Sequence, residues 1–131
     1  MKKFSLLTLL LVFTLSFVSC EDDPYVVHSQ TVKNGKKIYF MDEAETEDIY
    51  AYIEDKVLYA NWMTIGEYGP VSSFEEIQGS VHSLDHSAEL QDNYGYILVV
   101  TKFVNKFYGR KFRFWVHFTD DNKYDILYQE I

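Results

Sequence analysis

His82 and His86 lie four residues apart with Asp85 between them, and this is the most metal-like cluster of the sequence. Two histidines at that spacing share one face of a helix and can hold a metal ion together, and a carboxylate can add an oxygen ligand. The hypothesis needs a helix across these residues, and no local pattern predicts one. A polar surface loop is the alternative interpretation.

A basic run occupies the C-terminal third. It contains no acidic residue and is interleaved with aromatic rings, and its members are Lys102, Lys106, Arg110, Lys111 and Arg113. Residues 96–131 carry 6 basic and 4 acidic side chains, a net charge of +2, whereas residues 20–95 carry 4 basic and 16 acidic, a net charge of −12. Basic groups mixed with aromatic rings can bind nucleic acid or an anionic glycan, with Lys106 and Arg110 as candidate contacts. Alternatively, a basic hairpin packs beside the acidic half of the same domain.

Trp62, Trp115 and the eleven tyrosines are candidate stacking surfaces for sugar rings, because an aromatic side chain offers a flat apolar face and, in tyrosine and tryptophan, a polar group. The same residues are ordinary core residues of many β-sandwiches. Two or more exposed rings on one face would favour a glycan-binding module. Complete burial of the rings would favour a protein-interaction module.

Catalytic and cofactor motifs are absent from the sequence. It contains no Gly-x-Ser-x-Gly, no His-Glu-x-x-His and no glycine-rich phosphate loop. Glycosidases need two facing carboxylates, and twenty acidic residues make the choice of any pair arbitrary. The sequence therefore predicts a protein that is not an enzyme and has no cofactor.

Residues 1–19 have the layout of a secretory signal peptide. Lys2 and Lys3 precede an apolar stretch over 4–18. A membrane-spanning helix needs about 20 apolar residues, so this stretch is too short to cross a bilayer comfortably and suits a signal h-region.

The one cysteine of the chain follows this stretch in Phe17-Val18-Ser19-Cys20, which resembles the lipobox of bacterial lipoproteins with Phe17 in place of the usual Leu. The resemblance implies that Cys20 carries the lipid that anchors the protein. An incidental free cysteine after cleavage near Ser19 is the alternative. The acidic residues 21–23 resemble the export signal of outer-membrane lipoproteins in Bacteroidota, which implies a surface-exposed or periplasm-facing protein.

The segment after the signal peptide, residues 20–131, is long enough for one domain. We predict an acidic tether over 20–30 and a single β-rich domain over 31–131. Loss of Lys2 and Lys3 leaves 10 basic and 20 acidic residues, a net charge of −10. Such a charge repels phosphates, so nucleic acid is not an expected partner.

Asn34-Gly35 between apolar runs predicts a hairpin with arms at 26–32 and 38–41. Residues 42–55 fit a helix or a strand, and their aromatic and β-branched content favours a strand at 48–53.

A further strand is predicted at 57–64, ended by Gly66, Gly69 and Pro70. A capping-box pattern then predicts a short helical turn near 73–78.

The clearest patterns lie in the C-terminal third. Residues 96–104 are apolar on both faces, as expected of a central strand, while 112–118 and 124–128 alternate like the two arms of a hairpin. Several short strands with at most one short helix predict an all-β, mainly antiparallel fold, either a β-sandwich or a small barrel.

Three elements together carry a family resemblance: an aromatic strand around Tyr59-Ala60-Asn61-Trp62, the turn Gly69-Pro70-Val71 and the strand entry Gly95-Tyr96-Ile97. They resemble small envelope lipoproteins of Bacteroidota with no assigned function. The resemblance covers about residues 59–97 and lacks that group's Pro and Gly-Trp around 82–88. It implies a non-enzymatic accessory or interaction module of the cell envelope and assigns no active-site residues.

Overall fold

The structure is a computed structural model, and it describes residues 26–41, 48–78, 84–102, 107–119 and 122–131. The predicted signal peptide, Cys20 and most of the tether lie outside the described residues.

Ten β-strands are described: β1 His28–Lys33, β2 Ile38–Tyr39, β3 Tyr50–Glu54, β4 Val57–Asn61, β5 Met63–Pro70, β6 Leu84–Asp85, β7 Ser87–Glu89, β8 Tyr94–Val100, β9 Lys111–Phe118 and β10 Lys123–Glu130. Six of them form the large sheet in the order β1-β10-β9-β8-β5-β6, and four form the small sheet in the order β2-β3-β4-β7. Every pairing is antiparallel. Both described sheets are open rather than closed into a barrel.

The two sheets pack face to face, which confirms the predicted all-β fold as a sandwich. In β9 and β10 every second side chain is buried, as expected of strands with one face on a core. Ile53 and Leu58 of the small sheet belong to the same apolar cluster as Phe114 and Ile126 of the large sheet. Burial of this shared core is the main force that holds the layers together.

The outer face of the large sheet is covered by the segment 71–78, which contains a 3-10 turn at Phe74–Glu76. Ile77 packs there against Ile97, and Arg113 Nη1 donates to the carbonyl oxygen of Glu75 at 2.6 Å. The predicted helical turn is thus confirmed. The predicted capping box is wrong, because Ser73 makes no side-chain cap hydrogen bond.

The predicted hairpin around Asn34-Gly35 is wrong, because β1 pairs with β10 and β2 pairs with β3. A turn does form, with the Lys36 N–H donating to the Lys33 carbonyl oxygen at 3.2 Å. Of its two central residues only Gly35 has a positive φ, +81°, whereas a type I′ hairpin turn needs a positive φ at both. The turn therefore carries the chain from the large sheet to the small one.

The strand predicted at 57–64 is divided at Trp62, whose φ of 59° lies in the left-handed region. The chain crosses there from β4 in the small sheet to β5 in the large sheet. Gly66 does not end β5, which continues to Pro70 through an irregular register near Gly69.

Three other strand predictions are confirmed. The strand favoured at 48–53 is β3, the central strand is β8, ending at Val100, and the C-terminal hairpin is β9 and β10. β1 begins at His28, so the last residues of the segment predicted as tether lie in the large sheet.

Candidate functional site

The described residues of the two-histidine cluster, 84–86, do not form a helix. His82 lies outside the described residues, and His86 is an exposed residue between the strands β6 and β7. Its Nδ1 lies 3.1 Å from the Met63 carbonyl oxygen. Within the described ranges no group of three or more His, Cys, Asp or Glu side chains is placed to hold a metal ion.

Described members of the basic run contact groups of the domain itself. Lys102 forms an ion pair with Asp48, and Arg110 donates from Nε and Nη2 to the two carboxylate oxygens of Glu130, both at 2.6 Å. The Arg110 guanidinium also lies 4.7 Å from the ring centroid of Phe107. These contacts favour the interpretation of a basic hairpin that packs within its own domain. Lys106 lies outside the described residues.

The two tryptophans are not brought together. Trp62 is 47% exposed and precedes Met63, which pairs with Val100 at one end of β8. Trp115 pairs with Gly95 near the other end of β8, about 17 Å away at 3.3 Å per residue. Trp115 is partly buried beside the segment 71–78.

Tyrosine side chains instead line the outer face of the small sheet, and we call this set the tyrosine row: Tyr39, Tyr50, Tyr52 and Tyr59. Strand alternation puts them there, because their neighbours along the chain point into the core and Ile38, Ala51, Ile53 and Leu58 are fully buried.

Cross-strand register brings the row together. Tyr39 is the register partner of Tyr50, and Tyr52 is the register partner of Tyr59. The ring centroids of Tyr39 and Tyr50 are 6.0 Å apart, those of Tyr50 and Tyr52 are 6.4 Å apart, and those of Tyr52 and Tyr59 are 5.1 Å apart. Tyr52 and Tyr59 stack with their planes inclined by 20°. The row is therefore continuous across three strands.

Polar groups complete this face. The Lys37 Nζ lies 4.4 Å from the ring centroid of Tyr50, and Asn61 is the register partner of Tyr50. Tyr39 is 46% exposed and Tyr59 is 36% exposed, while Tyr50 and Tyr52 are partly exposed. A ligand on this face would meet apolar ring surface together with phenol hydroxyls and an ammonium group.

A pocket of about 780 Å³ lies elsewhere, beside the turn between β3 and β4 and the facing ends of β9 and β10. Its lining includes Asp55, Asn122 and Tyr124. Asn34 donates to the side chains of Asp55 and Asn122 and accepts from the Tyr124 hydroxyl at 3.1 Å. These polar groups join the turns to one another.

Sequence reasoning named the tyrosines as a group but did not find the row. The alternation of Ile49, Ala51 and Ile53 with Tyr50 and Tyr52 already indicated a strand with a tyrosine-bearing face. The neighbours of that strand, and hence the addition of Tyr39 and Tyr59, depend on sheet pairing that no local pattern encodes.

No protein-family model matches this chain, and searches of curated proteins and of solved structures found no significant match. No helix among the described residues is long and apolar enough to cross a membrane.

Proposed function

We propose that this chain is a non-enzymatic lipoprotein of the outer membrane that binds a carbohydrate chain along the tyrosine row. The observation that carries the proposal is the placement of four tyrosines on one outer sheet face with two of them substantially exposed. Burial of these rings in a core would have favoured a protein-interaction module instead.

The chemistry of the row suits a sugar. One face of a pyranose carries C–H groups that pack on an aromatic ring, and its edge carries hydroxyls that exchange hydrogen bonds with phenols and amides. Lys37 and Asn61 flank Tyr50 and add polar groups on the same face. A row of several rings provides successive subsites for a linear oligosaccharide.

The size of the row also favours a linear ligand over a protein. Stable protein interfaces bury about 800 Å² on each partner. The row spans only three strands, of which β2 has two residues and β3 and β4 have five each. A strip one side chain wide matches an extended chain of sugars better than a broad protein surface.

Anchoring by lipid is supported by the lipobox-like Phe17-Val18-Ser19-Cys20 and by the acidic residues that follow it. The described domain begins with β1 at His28, so few residues separate it from Cys20. A protein held at a membrane in this way can retain a polysaccharide close to the cell.

Affinity electrophoresis of the processed lipoprotein in detergent, through gels that contain neutral or acidic polysaccharides, tests this proposal. We expect at least one polysaccharide to retard the wild-type protein, and Tyr52→Ala and Tyr59→Ala to weaken the retardation about tenfold, as loss of a well-placed stacking ring does. Tyr108→Ala is the matched control, because Tyr108 is 53% exposed and lies outside the row. Equal retardation of the row variants and the wild type would reject the tyrosine row as the site.

A further inference from the structure

The exposed large apolar side chains of this protein are segregated. Seven are described, and two of them, Tyr39 and Tyr59, belong to the tyrosine row. The other five all lie at one end of the large sheet, and we call them the anchor-side patch: Val26, Val27, Trp62, Tyr108 and Ile131.

Strand order places the patch at a single end of the large sheet, across the ends of several strands. Val26 and Val27 precede the start of β1, Ile131 follows the end of β10, and Tyr108 lies between β8 and β9. Trp62 immediately precedes β5. Because neighbouring strands are antiparallel, the start of β1, the end of β10, the end of β8 and the start of β5 meet at the same end of the sheet.

Backbone hydrogen bonds hold this end together. The Thr101 N–H donates to the Trp62 carbonyl oxygen at 2.9 Å, and the Gly109 N–H donates to the Val100 carbonyl oxygen at 2.8 Å. The Ile131 N–H donates to the Lys111 carbonyl oxygen at 2.9 Å. These hydrogen bonds fix the backbone at Trp62 and next to Tyr108, so that both side chains project from the same end of the sheet.

We infer that the anchor-side patch lies in the headgroup region of the membrane that receives the acyl chains of Cys20. The inference rests on the lipid anchor of the proposed function. Five residues separate Cys20 from Val26, so the two residues are six positions apart and their Cα atoms are at most about 20 Å from each other. The chain thus enters the domain at this end, close to the bilayer surface.

The composition of the patch suits that surface. Tryptophan and tyrosine concentrate at membrane interfaces, where the ring meets apolar chains and the polar group meets water. Trp62 has a φ of 59°, a backbone conformation that bulky residues rarely adopt, and yet its ring is 47% exposed. The crossing from β4 to β5 accounts for this backbone conformation, whereas an exposed indole ring adds little to the packing of the fold and is free to contact a lipid surface.

The charged side chains near the patch indicate that it contacts the membrane through its aromatic rings and not through positive charge. Lys102, whose Nζ lies 5.8 Å from the Trp62 ring centroid, is paired with Asp48, and Arg110 is paired with Glu130. The segment 21–23 adds acidic residues next to the lipid. Binding of the patch should therefore occur on zwitterionic lipid and should not weaken at high salt.

The two tryptophans of the chain allow a matched test. Trp115→Phe retains Trp62 as its one tryptophan, and Trp62→Phe retains Trp115 on the covered face of the large sheet. Both variants, processed to the lipidated form, are placed in phosphatidylcholine vesicles with and without bromine on the acyl chains. We expect brominated lipid to quench Trp62 and to leave Trp115 unquenched, at low and at high salt.

Other outcomes overturn the inference in distinguishable ways. Protein that floats with the vesicles while Trp62 stays unquenched retains its anchor but turns the patch away from the bilayer. Protection of Trp62 from acrylamide without quenching by brominated lipid would place a second copy of the chain on the patch. Protein that fails to float lacks the lipid anchor, which removes that part of the proposed function together with this inference.

Discussion

The two outer faces of the sandwich are built differently. On the large sheet, the segment 71–78 covers the outer face, so that Ile97 and Ile77 are buried. On the small sheet, the outer face consists of the tyrosine row, with Tyr39 and Tyr59 well exposed. A face that only needs to be stable is closed by apolar packing, whereas a row of amphipathic rings left open to solvent is suited to binding.

Truncation of a buried side chain in the covering segment 71–78 should have the largest effect on stability. Ile77→Ala deletes a fully buried side chain from the outer face of the large sheet, and we expect the free energy of unfolding to fall by about 3 kcal/mol. Urea denaturation measures the loss. A loss below about 1 kcal/mol would mean that the segment 71–78 contributes little to the closed face.

A methyl group added beneath the cover should have a somewhat smaller effect. A Cβ at Gly95 would lie 2.7 Å from Ile77 Cδ1 and 3.2 Å from Val71 Cγ1. Gly95→Ala should therefore destabilise the fold by about 2 kcal/mol through overpacking. In the double variant with Ile77→Ala the extra methyl group gains room, so the two losses should sum to more than the loss of the double variant. Simple additivity would contradict direct packing of Ile77 on Gly95.

Tyr96 tests the core between the two faces. Burial raises the pKa of its phenol above the ordinary value of 10.0, so the folded state retains a proton that the unfolded state releases. Ionisation of this phenol therefore leaves the free energy of unfolding unchanged below pH 10. Above pH 10 it lowers the free energy of unfolding by up to about 1.4 kcal/mol per pH unit. Tyr96→Phe should remove this part of the alkaline loss in urea titrations at successive pH values.

At neutral pH the same substitution should cost about 1 kcal/mol, because the Gln91 N–H donates to the Tyr96 hydroxyl at 3.0 Å. An unchanged alkaline slope in Tyr96→Phe would show that other groups govern the loss of stability.

The smallest effect on stability is expected on the open face. Tyr59→Ala removes one cross-strand ring contact with Tyr52 and should cost about 0.5 kcal/mol. Its effect on carbohydrate binding should be far larger than its effect on unfolding. A loss of stability as large as that of Ile77→Ala would make the row a structural element and would remove the contrast between the two faces.

Local patterns predicted the strands better than their partners. In β9 and β10 one face is buried and the other is solvated, so alternation along the chain was sufficient to identify them. The pairing of β1 with β10 joins residues about 95 positions apart, and no local pattern encodes it. The Asn34-Gly35 turn illustrates the difference. The turn was predicted, but only Gly35 has a positive φ, and the two arms pair with β10 and β3 in different sheets.

The candidate site was less predictable for the same reason. Trp62 and Trp115 were singled out by residue type, and the fold separates them. Tyr39, Tyr52 and Tyr59 become neighbours only because β2, β3 and β4 are adjacent in one sheet. A site assembled from several strands requires the sheet order as well as the side-chain types.

The most direct test of the tyrosine row is a titration of the tyrosine-labelled lipoprotein in detergent, followed by the aromatic resonances in NMR. The ligand is an oligosaccharide prepared from the polysaccharide that retards the wild-type protein most. We expect the resonances of Tyr39, Tyr50, Tyr52 and Tyr59 to shift together and to saturate at one dissociation constant. Saturable shifts confined to Tyr108 or Tyr124, with the row unchanged, would contradict carbohydrate binding at the tyrosine row.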